Sequence, residues 1–424
     1  MTTSQTPPST DPTGAGPVPS DLQDERLIAS QGIGGWASAT WDRVRSGDLG
    51  SLPVVVGLVL IWGVFYALNP LFLSSRNLVN LTVQMVPIGV IAIGVVLVLL
   101  LGQIDLSVGS MSGLAGAVVA VLFVNQGLNI WVAIAAALVV GVATGLVYGM
   151  LFNRFGVPSF VITLAGLLVL LGLQIRTLGT DGTINLPFES GLVQFASQQF
   201  LPAALAYVLA VAVPAVYLLT RLNTDRRRSA AGLSAQPLAT VALRAGLLTV
   251  LLLAATYVLN RDRGVSYMVV LFVVLVVVMD LVIRRTRWGR SVLAIGGNVE
   301  AARRAGINVK RVYLTVFTLC STFAALGGVL AAGRLASANQ SSGGADTNLN
   351  AIAAAVIGGT SLFGGRGSAY SALLGILVIF SISNGLALLS VSSDVRFVVT
   401  GAVLLLAVVI DSLSRRSRVA HGRA

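Results

Sequence analysis

Three residue types that supply most enzyme and metal chemistry are nearly missing from this chain of 424 residues. The one cysteine, Cys320, lies inside an apolar run, so the chain holds neither an internal disulfide nor a cysteine metal site. The one histidine, His421, stands near the end, which excludes a histidine-based triad. The one lysine, Lys310, is not part of a GxxxxGK[ST] motif, so a P-loop is absent. We therefore predict that the chain is not itself an enzyme and has no metal site or cofactor of its own.

Charge is also scarce, at 10% of residues, whereas a soluble domain carries about a quarter. Hydrophobic residues make up 55% of the chain, mean hydropathy is +0.88, and 46 glycines suit closely packed membrane helices. The net charge of +12 comes from arginines in short loops between apolar runs, which is the positive-inside pattern. This pattern predicts a membrane protein and gives no support to a nucleic-acid partner.

Apolar runs suited to membrane spans recur along the chain. A helix crossing the roughly 30 Å bilayer core needs about 20 apolar residues. We predict an all-α polytopic integral membrane protein with about twelve spans, of which the tenth is short, rich in glycine, and typical of a half-helix or broken span. The predicted spans are 53–69, 79–101, 109–124, 130–152, 158–176, 201–220, 240–259, 265–283, 311–333, 352–363, 369–389 and 393–411.

The arginine distribution predicts the orientation. With twelve crossings, nearly all arginine-rich loops fall on the cytoplasmic side, and both termini are cytoplasmic. Residues 1–50 are predicted to form a disordered segment, with an interfacial helix that carries Trp36 and Trp41. The membrane domain is predicted over 51–413, and 414–424 form a basic cytoplasmic tail.

One polar, basic segment, 294–311, interrupts the apolar pattern. Asn298 is a good N-cap, Glu300 suits the first turn, and Gly306 is a natural C-terminal stop. These signals predict a helix of roughly seven residues, with a small apolar face formed by Ala301, Ala302 and Ala305. A helix this short needs a partner groove, so we expect it to dock into another protein. The alternative is a plain basic loop that only fixes topology.

Three motifs together resemble a known family. They are "GQIDLSVGSMSG" at 102–113, "GRSVLAIGGNVEAARRAGI" at 289–307 and "LNAIAAAVIGGTSLFGGRGSAYSALLG" at 349–375. In this order they are similar to the permeases of ribose/xylose-type ABC importers, within the branched-chain amino acid and sugar permease superfamily. The apolar stretch at 238–264 resembles an additional segment of the xylose-type members. The chain departs from the family at Gln103 and at Asn348 and Asn350, which stand where glycine and an acidic pair are usual.

The resemblance implies a machine with several subunits. Two permease copies pair in the lipid membrane, a separate ATPase binds ATP and Mg, and an extracytoplasmic binding protein delivers a sugar, here xylose or a related pentose. The implied localisation is the cell membrane. The residues that would couple to the ATPase are Gly296, Gly297, Asn298, Glu300, Ala301, Ala302, Arg303 and Gly306.

Two glycine-containing breaks are candidates for the translocation path, because irregular backbone in a membrane must face protein or water. The candidate path residues are Gly102, Asp105, Ser107, Gly109, Gly358, Gly359, Thr360 and Ser361. Asp105 could equally be a capping carboxylate, and the glycines could serve helix packing alone. In the polar loop predicted over 334–350, Asn339, Gln340 and Asp346 are candidates for an external gate or binding-protein contact, or belong to a solvated loop.

Other functions fit the residues less well. The same machinery could carry ribose, another monosaccharide, a nucleoside or a branched-chain amino acid. An ion-coupled secondary transporter needs several intramembrane acids, and the chain offers Asp105 and, near span ends, Asp280, Asp394 and Asp411. A membrane-embedded hydrolase lacks its usual catalytic residues.

Overall fold

The computed structural model describes residues 52–233 and 238–420. The predicted N-terminal segment with Trp36 and Trp41 therefore lies outside the described residues, and so does His421.

The first half of the described chain contains seven long helices and one strand. The strand β1, Thr183–Asn185, lies between the fifth and sixth helices, and a short helical segment, 191–198, follows it. The helices are α1 Leu52–Leu68, α2 Ser75–Leu100, α3 Val108–Ala120, α4 Ile130–Phe155, α5 Ser159–Leu178, α6 Ala203–Ala230 and α7 Leu238–Asn260.

The second half begins with a long helix and then two shorter ones that form the polar segment. The strand β2, Ser337–Asn339, precedes the short helix α12. The helices are α8 Tyr267–Arg285, α9 Arg287–Gly297, α10 Val299–Arg304, α11 Val309–Leu335, α12 Ala345–Ile357, α13 Tyr370–Leu388 and α14 Ser393–Ala420.

Within the described residues, nine helical segments are long and apolar enough to cross a membrane. The prediction of an all-α polytopic membrane protein is confirmed. Three of the twelve predicted spans fall outside the nine: 53–69, which is a shorter apolar helix, 352–363 and 393–411. The helix α14 continues to Ala420, into the residues predicted as a tail.

The tenth predicted span, 352–363, contains a half-helix as predicted, but its bounds differ. The helix α12 begins seven residues earlier, at Ala345, and ends at Ile357. Its 13 residues rise about 20 Å, which is short of the bilayer core. The glycines that follow Ile357 form turns instead, so the segment is a half-helix that ends in a break.

The described chain divides into two compact units, one of which includes 207–255 and the other 52–206 and 256–420. The first holds most of α6 and α7, which expose large apolar side chains such as Val208, Leu247 and Leu251. Exposed apolar side chains on helices of this length suit contact with lipid.

The helix α2 forms the centre of the second unit, and its residues from Val90 to Leu100 are buried without interruption. It packs against α11, α13, α12 and α8. A reciprocal pair of side-chain hydrogen bonds at 2.7 and 3.0 Å joins Asn77 of α2 to Asn384 of α13. Such amide pairs position neighbouring helices in an apolar environment.

A small antiparallel sheet closes the unit at the end where α11 finishes. Thr183, Ile184 and Asn185 of β1 pair with Asn339, Ala338 and Ser337 of β2. This sheet corrects the prediction of a loop over 334–350. Its residues belong to the end of α11, to β2, to a turn and to the start of α12.

Candidate functional site: two breaks and the coupling segment

The first break, 101–107, separates α2 from α3. Its backbone groups are satisfied by nearby protein groups. The amide of Ile104 donates to the Ser159 hydroxyl at 3.4 Å, and the amide of Leu106 donates to the Thr163 hydroxyl at 3.1 Å. Ser159 and Thr163 lie on one side of α5, a turn apart, and both are buried. Two amides of the irregular backbone therefore find hydrogen-bond acceptors on α5.

Asp105 is buried in this break. Its Oδ1 accepts hydrogen bonds from the Ser107 amide at 2.8 Å and from the Ser107 hydroxyl at 2.7 Å. This arrangement is an Asx turn that leads into Ser107, the residue before α3. The second oxygen, Oδ2, has no hydrogen-bond partner within the described residues.

The second break, 358–369, separates α12 from α13. Four of its glycines have a positive φ, namely Gly359, Gly364, Gly365 and Gly367. L-residues rarely adopt this conformation, so the turn depends on glycine. Gly358, at the start of the break, packs directly on the Ser371 backbone of α13. Thr360 is buried, and its hydroxyl has no hydrogen-bond partner within the described residues.

The two breaks touch each other through backbone groups. The amide of Gly365 donates to the carbonyl of Leu100 at 2.9 Å. A Cβ on Gly102 would lie 3.2 Å from the Phe363 carbonyl oxygen, and Gly102 itself has a φ of +68°. The end of α2 and the glycine turn after α12 therefore form one contact between segments more than 250 residues apart in the chain.

The coupling segment, which we define as α9 and α10 with the residues between and after them up to Ile307, joins this contact. The backbone of Gly296 lies so close to Leu100 and Gly365 that any Cβ would clash with the Leu100 carbonyl. Gly365 in turn approaches Gly297. We name this convergence of Leu100, Gly102, Gly296, Gly364 and Gly365 the glycine junction. It brings all three sequence motifs to one place.

The helix α9 is the part of the coupling segment that the sequence prediction missed. It presents Val292 and Ile295 to the core, and its N-cap Thr286 accepts from the Gly289 amide at 3.0 Å. Trp288 anchors the helix through a 2.8 Å hydrogen bond from its indole nitrogen to Thr315 of α11. The helix α9 therefore contacts both α11 and the glycine junction.

The predicted helix near 298–306 is present as α10. Asn298 caps it by accepting from the Ala301 amide at 2.9 Å, and Gly306 ends it with a φ of +79°. Glu300 and Arg303 are exposed and form an ion pair at 2.8 Å.

The prediction that Ala301, Ala302 and Ala305 form one apolar face is wrong. Ala302 is buried, whereas Ala301 and Ala305 are exposed, because successive helix positions are about 100° apart. The side open to a partner carries Ala301 and Ala305 with Glu300, Arg303 and Arg304. Gly297 and Gly306 also face open space.

The half-helices α3 and α12 meet beside the breaks. The Asn348 side chain donates to the Leu106 carbonyl at 2.7 Å, so Asn348 supplies a donor to the first break. Gly109 of α3 packs against the backbone of Gly343, just before α12. Two other candidate path residues, Gly359 and Ser361, are packed less tightly. A Cβ on Gly359 would touch nothing, and Ser361 is half-buried.

The three candidates for an external gate lie elsewhere. Asn339, Gln340 and Asp346 follow the C-terminal end of α11, whereas the coupling segment precedes its first turn. The 27 residues of α11 span about 40 Å, so the coupling segment and β2 adjoin opposite ends of this helix. Buried Gln174 of α5, which the sequence did not single out, holds this end by donating to the carbonyls of Asn339 and Ser342 at 3.0 and 2.9 Å.

The described residues contain no group of three or more His, Cys, Asp or Glu side chains that could hold a metal ion. The fold is that of a multi-pass membrane subunit, and backbone hydrogen bonds hold its two breaks.

Comparisons with known proteins give the family. The family model described as branched-chain amino acid transport system / permease component matches residues 77–408. A xylose transport system permease of Escherichia coli is 38% identical over 345 residues, covering 81% of this chain and 87% of that protein. A xylose permease of Haemophilus influenzae is 35% identical, covering 88% and 99%. A ribose import permease of Escherichia coli is 33% identical, covering 84% and 92%. No solved structure matches.

The chain belongs to this permease family of ABC importers. It is a transport subunit of the inner membrane rather than an enzyme, and the family works with an ABC ATPase and a binding protein.

Proposed function

We propose that the chain is the membrane-spanning permease of an ABC importer for a sugar, with xylose or a related pentose as the cargo. The observation that carries the cargo is its 38% identity to a xylose permease over 81% of the chain. The ribose permease is similar over the same region at 33%, which supports a monosaccharide more generally. A nucleoside or branched-chain amino acid is the alternative cargo.

The glycine junction supports a mechanism for coupling. The exposed side of α10 is available to an ATPase, and α9 links α10 to the contact between the two breaks. When ATP binding closes the ATPase pair, movement of the coupling segment would push on Leu100 and Gly365 together. Both breaks would then move as one, and the path beside them would open alternately to the two sides.

The candidate path residues take different roles in this proposal. Asp105 and Ser107 shape the start of α3, while Gly102 and Gly358 allow close packing. The open backbone at Gly359 and the half-buried Ser361 supply neutral hydrogen-bonding surface. A sugar that passes through needs such surface without tight binding, because capture belongs to the binding protein.

We further propose that two copies of the chain pair in the membrane, and that the coupling segment is cytoplasmic while the β1–β2 sheet is extracytoplasmic. The arginines on either side of α9 and α10 support this orientation by the positive-inside rule. ATP and Mg would bind to the ATPase subunit.

The surroundings of the acidic residues that could serve as ion sites disfavour an ion-coupled transporter. Asp280, one of its few candidate ion sites, is buried but paired with Arg284 of the same helix at 2.8 Å. Asp394 lies at the start of α14 and is exposed. Asp105 alone is an unpromising ion relay, since its bonded oxygen serves the turn at Ser107.

The test is reconstitution of the permease with the ATPase and binding protein that function with it. We expect the sugar-loaded binding protein to stimulate ATP hydrolysis, with D-xylose or D-ribose as the effective ligand and L-leucine inactive. Stimulation by L-leucine alone would overturn the sugar assignment, and stimulation by none of them would exclude xylose and ribose as the cargo.

A further inference from the structure

A cavity of about 280 Å³ opens at the end of the molecule opposite the coupling segment. It lies among α2, α3, the end of α11, the start of α12 and α13, all within the second compact unit. One molecule of liquid water occupies about 30 Å³, so the cavity has room for about nine waters. This is enough for a single monosaccharide.

Two opposite charges line this cavity without pairing. Arg334 comes from the last turn of α11, and Asp346 from the first turn of α12. Neither side chain forms an ion pair or a side-chain hydrogen bond within the described residues, and the Nε atom of Arg334 is buried without a partner. The C-terminal end of a helix favours a cation, which accounts for the charge of Arg334. This favourable position at the helix end does not give the five N–H donors of the guanidinium hydrogen-bond partners. Buried donors normally have partners.

The remaining lining completes a neutral, hydrogen-bonding surface. Gln84, Asn339 and Thr347 contribute amide and hydroxyl groups. Phe380, half-buried on α13, contributes an aromatic ring. One cation and one anion give no net charge, so the cavity favours neither an anion nor a cation.

A ligand that bridges the two charges must offer acceptors to Arg334 and donors to Asp346. Hydroxyl groups do both, and a ring of them can also meet the amides and lay its C–H face on Phe380. A zwitterionic amino acid could satisfy the two charges, but it has no hydroxyl groups of its own for the amides and Thr347. Hydroxyl groups can pair with the charges, the amides and the Thr347 hydroxyl together, so the lining favours a polyol.

We propose that this cavity is a binding site of the permease itself for one neutral monosaccharide, with Arg334 and Asp346 holding opposite sides of the molecule. The proposal rests on the sugar importer function and adds a site to it: the permease receives the sugar at the β1–β2 end before the breaks let it pass. Charged hydrogen bonds make this a selective site on the path, distinct from the open backbone at Gly359.

The experiment measures sugar binding to the full chain in lipid nanodiscs, without binding protein or ATPase, by saturation-transfer NMR and equilibrium dialysis with D-xylose, D-ribose and L-leucine. The variants are Arg334→Gln, Arg334→Lys and Asp346→Asn. Arg263→Gln is the matched control, because Arg263 is an arginine of another loop that contacts Asn80 and Asp262 and does not line the cavity. In parallel, uptake by the complete importer is measured with each variant.

We expect the parent and Arg263→Gln to bind a monosaccharide equally, and Arg334→Gln to bind it about ten- to a hundred-fold more weakly. Asp346→Asn should weaken binding too, and Arg334→Lys should retain part of it. In uptake, Arg334→Gln should raise KM more than it lowers the maximal rate. Asp346 is exposed, so Asp346→Asn reports on the site even if Arg334→Gln does not fold.

Two results would overturn the site while leaving the importer function intact: a transporting parent whose isolated permease binds no sugar, or equal binding by parent, Arg334→Gln and Asp346→Asn. Binding of L-leucine in place of the sugars would overturn the polyol chemistry. A complete importer that moves no sugar with any variant would instead refute the proposed function.

Discussion

At the scale of single residues, two adjacent glycines show how specific the glycine junction is. Gly296 and Gly297 both end α9, and neither has a positive φ. A Cβ on Gly296 would strike the Leu100 carbonyl, whereas a Cβ on Gly297 would touch nothing. The glycine at 296 is therefore required by contact, and the glycine at 297 is not.

This difference predicts the behaviour of two alanine variants. Gly296→Ala should break the hydrogen bond between Gly365 and Leu100 and reduce ATP-driven uptake at least tenfold, since at least about 1.4 kcal/mol of coupling is lost. Gly297→Ala should be neutral or slightly stabilising, because alanine is the better helix former by about 1 kcal/mol. Both variants are compared with the parent by measuring uptake and sugar-stimulated ATP hydrolysis in the reconstituted importer. Equal activity of the two variants would show that the junction carries no coupling.

Asn348 is the residue where the departure from the family pattern has a visible role. Its amide donates to the Leu106 carbonyl, and a carboxylate can only accept. Asn348→Asp should place two acceptors face to face and destabilise the break by about 1–3 kcal/mol. Thermal unfolding of the detergent-purified protein measures this.

The control for Asn348 is Asn350→Asp, because the half-buried Asn350 side chain makes no hydrogen bond within the described residues. Its melting temperature should match the parent more closely. If Asn348→Asp is as stable as Asn350→Asp, the hydrogen bond to Leu106 contributes nothing to the first break.

At the scale of elements, the contact between α4 and α11 is built on a row of glycines. Gly141, Gly145 and Gly149 recur every four residues and so lie on one face of α4. A Cβ on each would come within 2.5–2.8 Å of atoms on α11. Small residues at this spacing let two helix backbones approach closely in a membrane, where packing replaces the hydrophobic effect.

Gly145→Leu should therefore separate α4 from α11 and lower the yield of folded protein. A Cβ there would lie 2.5 Å from both the Phe317 carbonyl oxygen and the Thr318 Cα, and backbone cannot give way as a side chain can. Gly172→Leu on α5 is the control, since a Cβ there meets nothing. Size-exclusion profiles and melting curves of both variants decide: a stable, monodisperse Gly145→Leu protein would contradict this packing.

The elements show what sequence could and could not reveal. Long helices such as α2 and α4 were predicted within a few residues, because apolar runs of bilayer length have few other folds. Capping signals placed α10 correctly through Asn298 and Gly306. The sequence did not reveal α9, whose arginines hid an amphipathic pattern carried by Val292 and Ile295.

The contact between Leu100, Gly296 and Gly365 was equally hidden from the sequence. Backbone groups form it, and backbone groups are the same in every residue, so no pattern of side chains marks it. The glycines were visible as breaks, but which breaks meet depends on the packing of α2, α12 and α9. Gln174 was missed for a related reason: a single amide within an apolar run gave no sign of the carbonyls to which it donates.

At the scale of the whole molecule, cysteine labelling can test the orientation of the chain across the membrane. The buried native cysteine is first removed so that only introduced cysteines react. In a Cys320→Ser background, single cysteines at Ala305 and Ser341 place a label at exposed positions on the two ends of the molecule. An impermeant maleimide should label Ser341→Cys in intact cells, and Ala305→Cys only after the membrane is opened. The reverse pattern would invert the topology and place the coupling segment out of reach of a cytoplasmic ATPase.

The central claim is that ATP-driven movement of a partner moves sugar through this chain. The most direct measurement is uptake of radiolabelled D-xylose into proteoliposomes that hold the permease and its ATPase, with loaded binding protein on the outward side of the permease. ATP supplied to the ATPase side should drive accumulation, and dissipating proton and sodium gradients should leave it unchanged. Uptake that persists without ATP and stops when the gradients are dissipated would contradict the account.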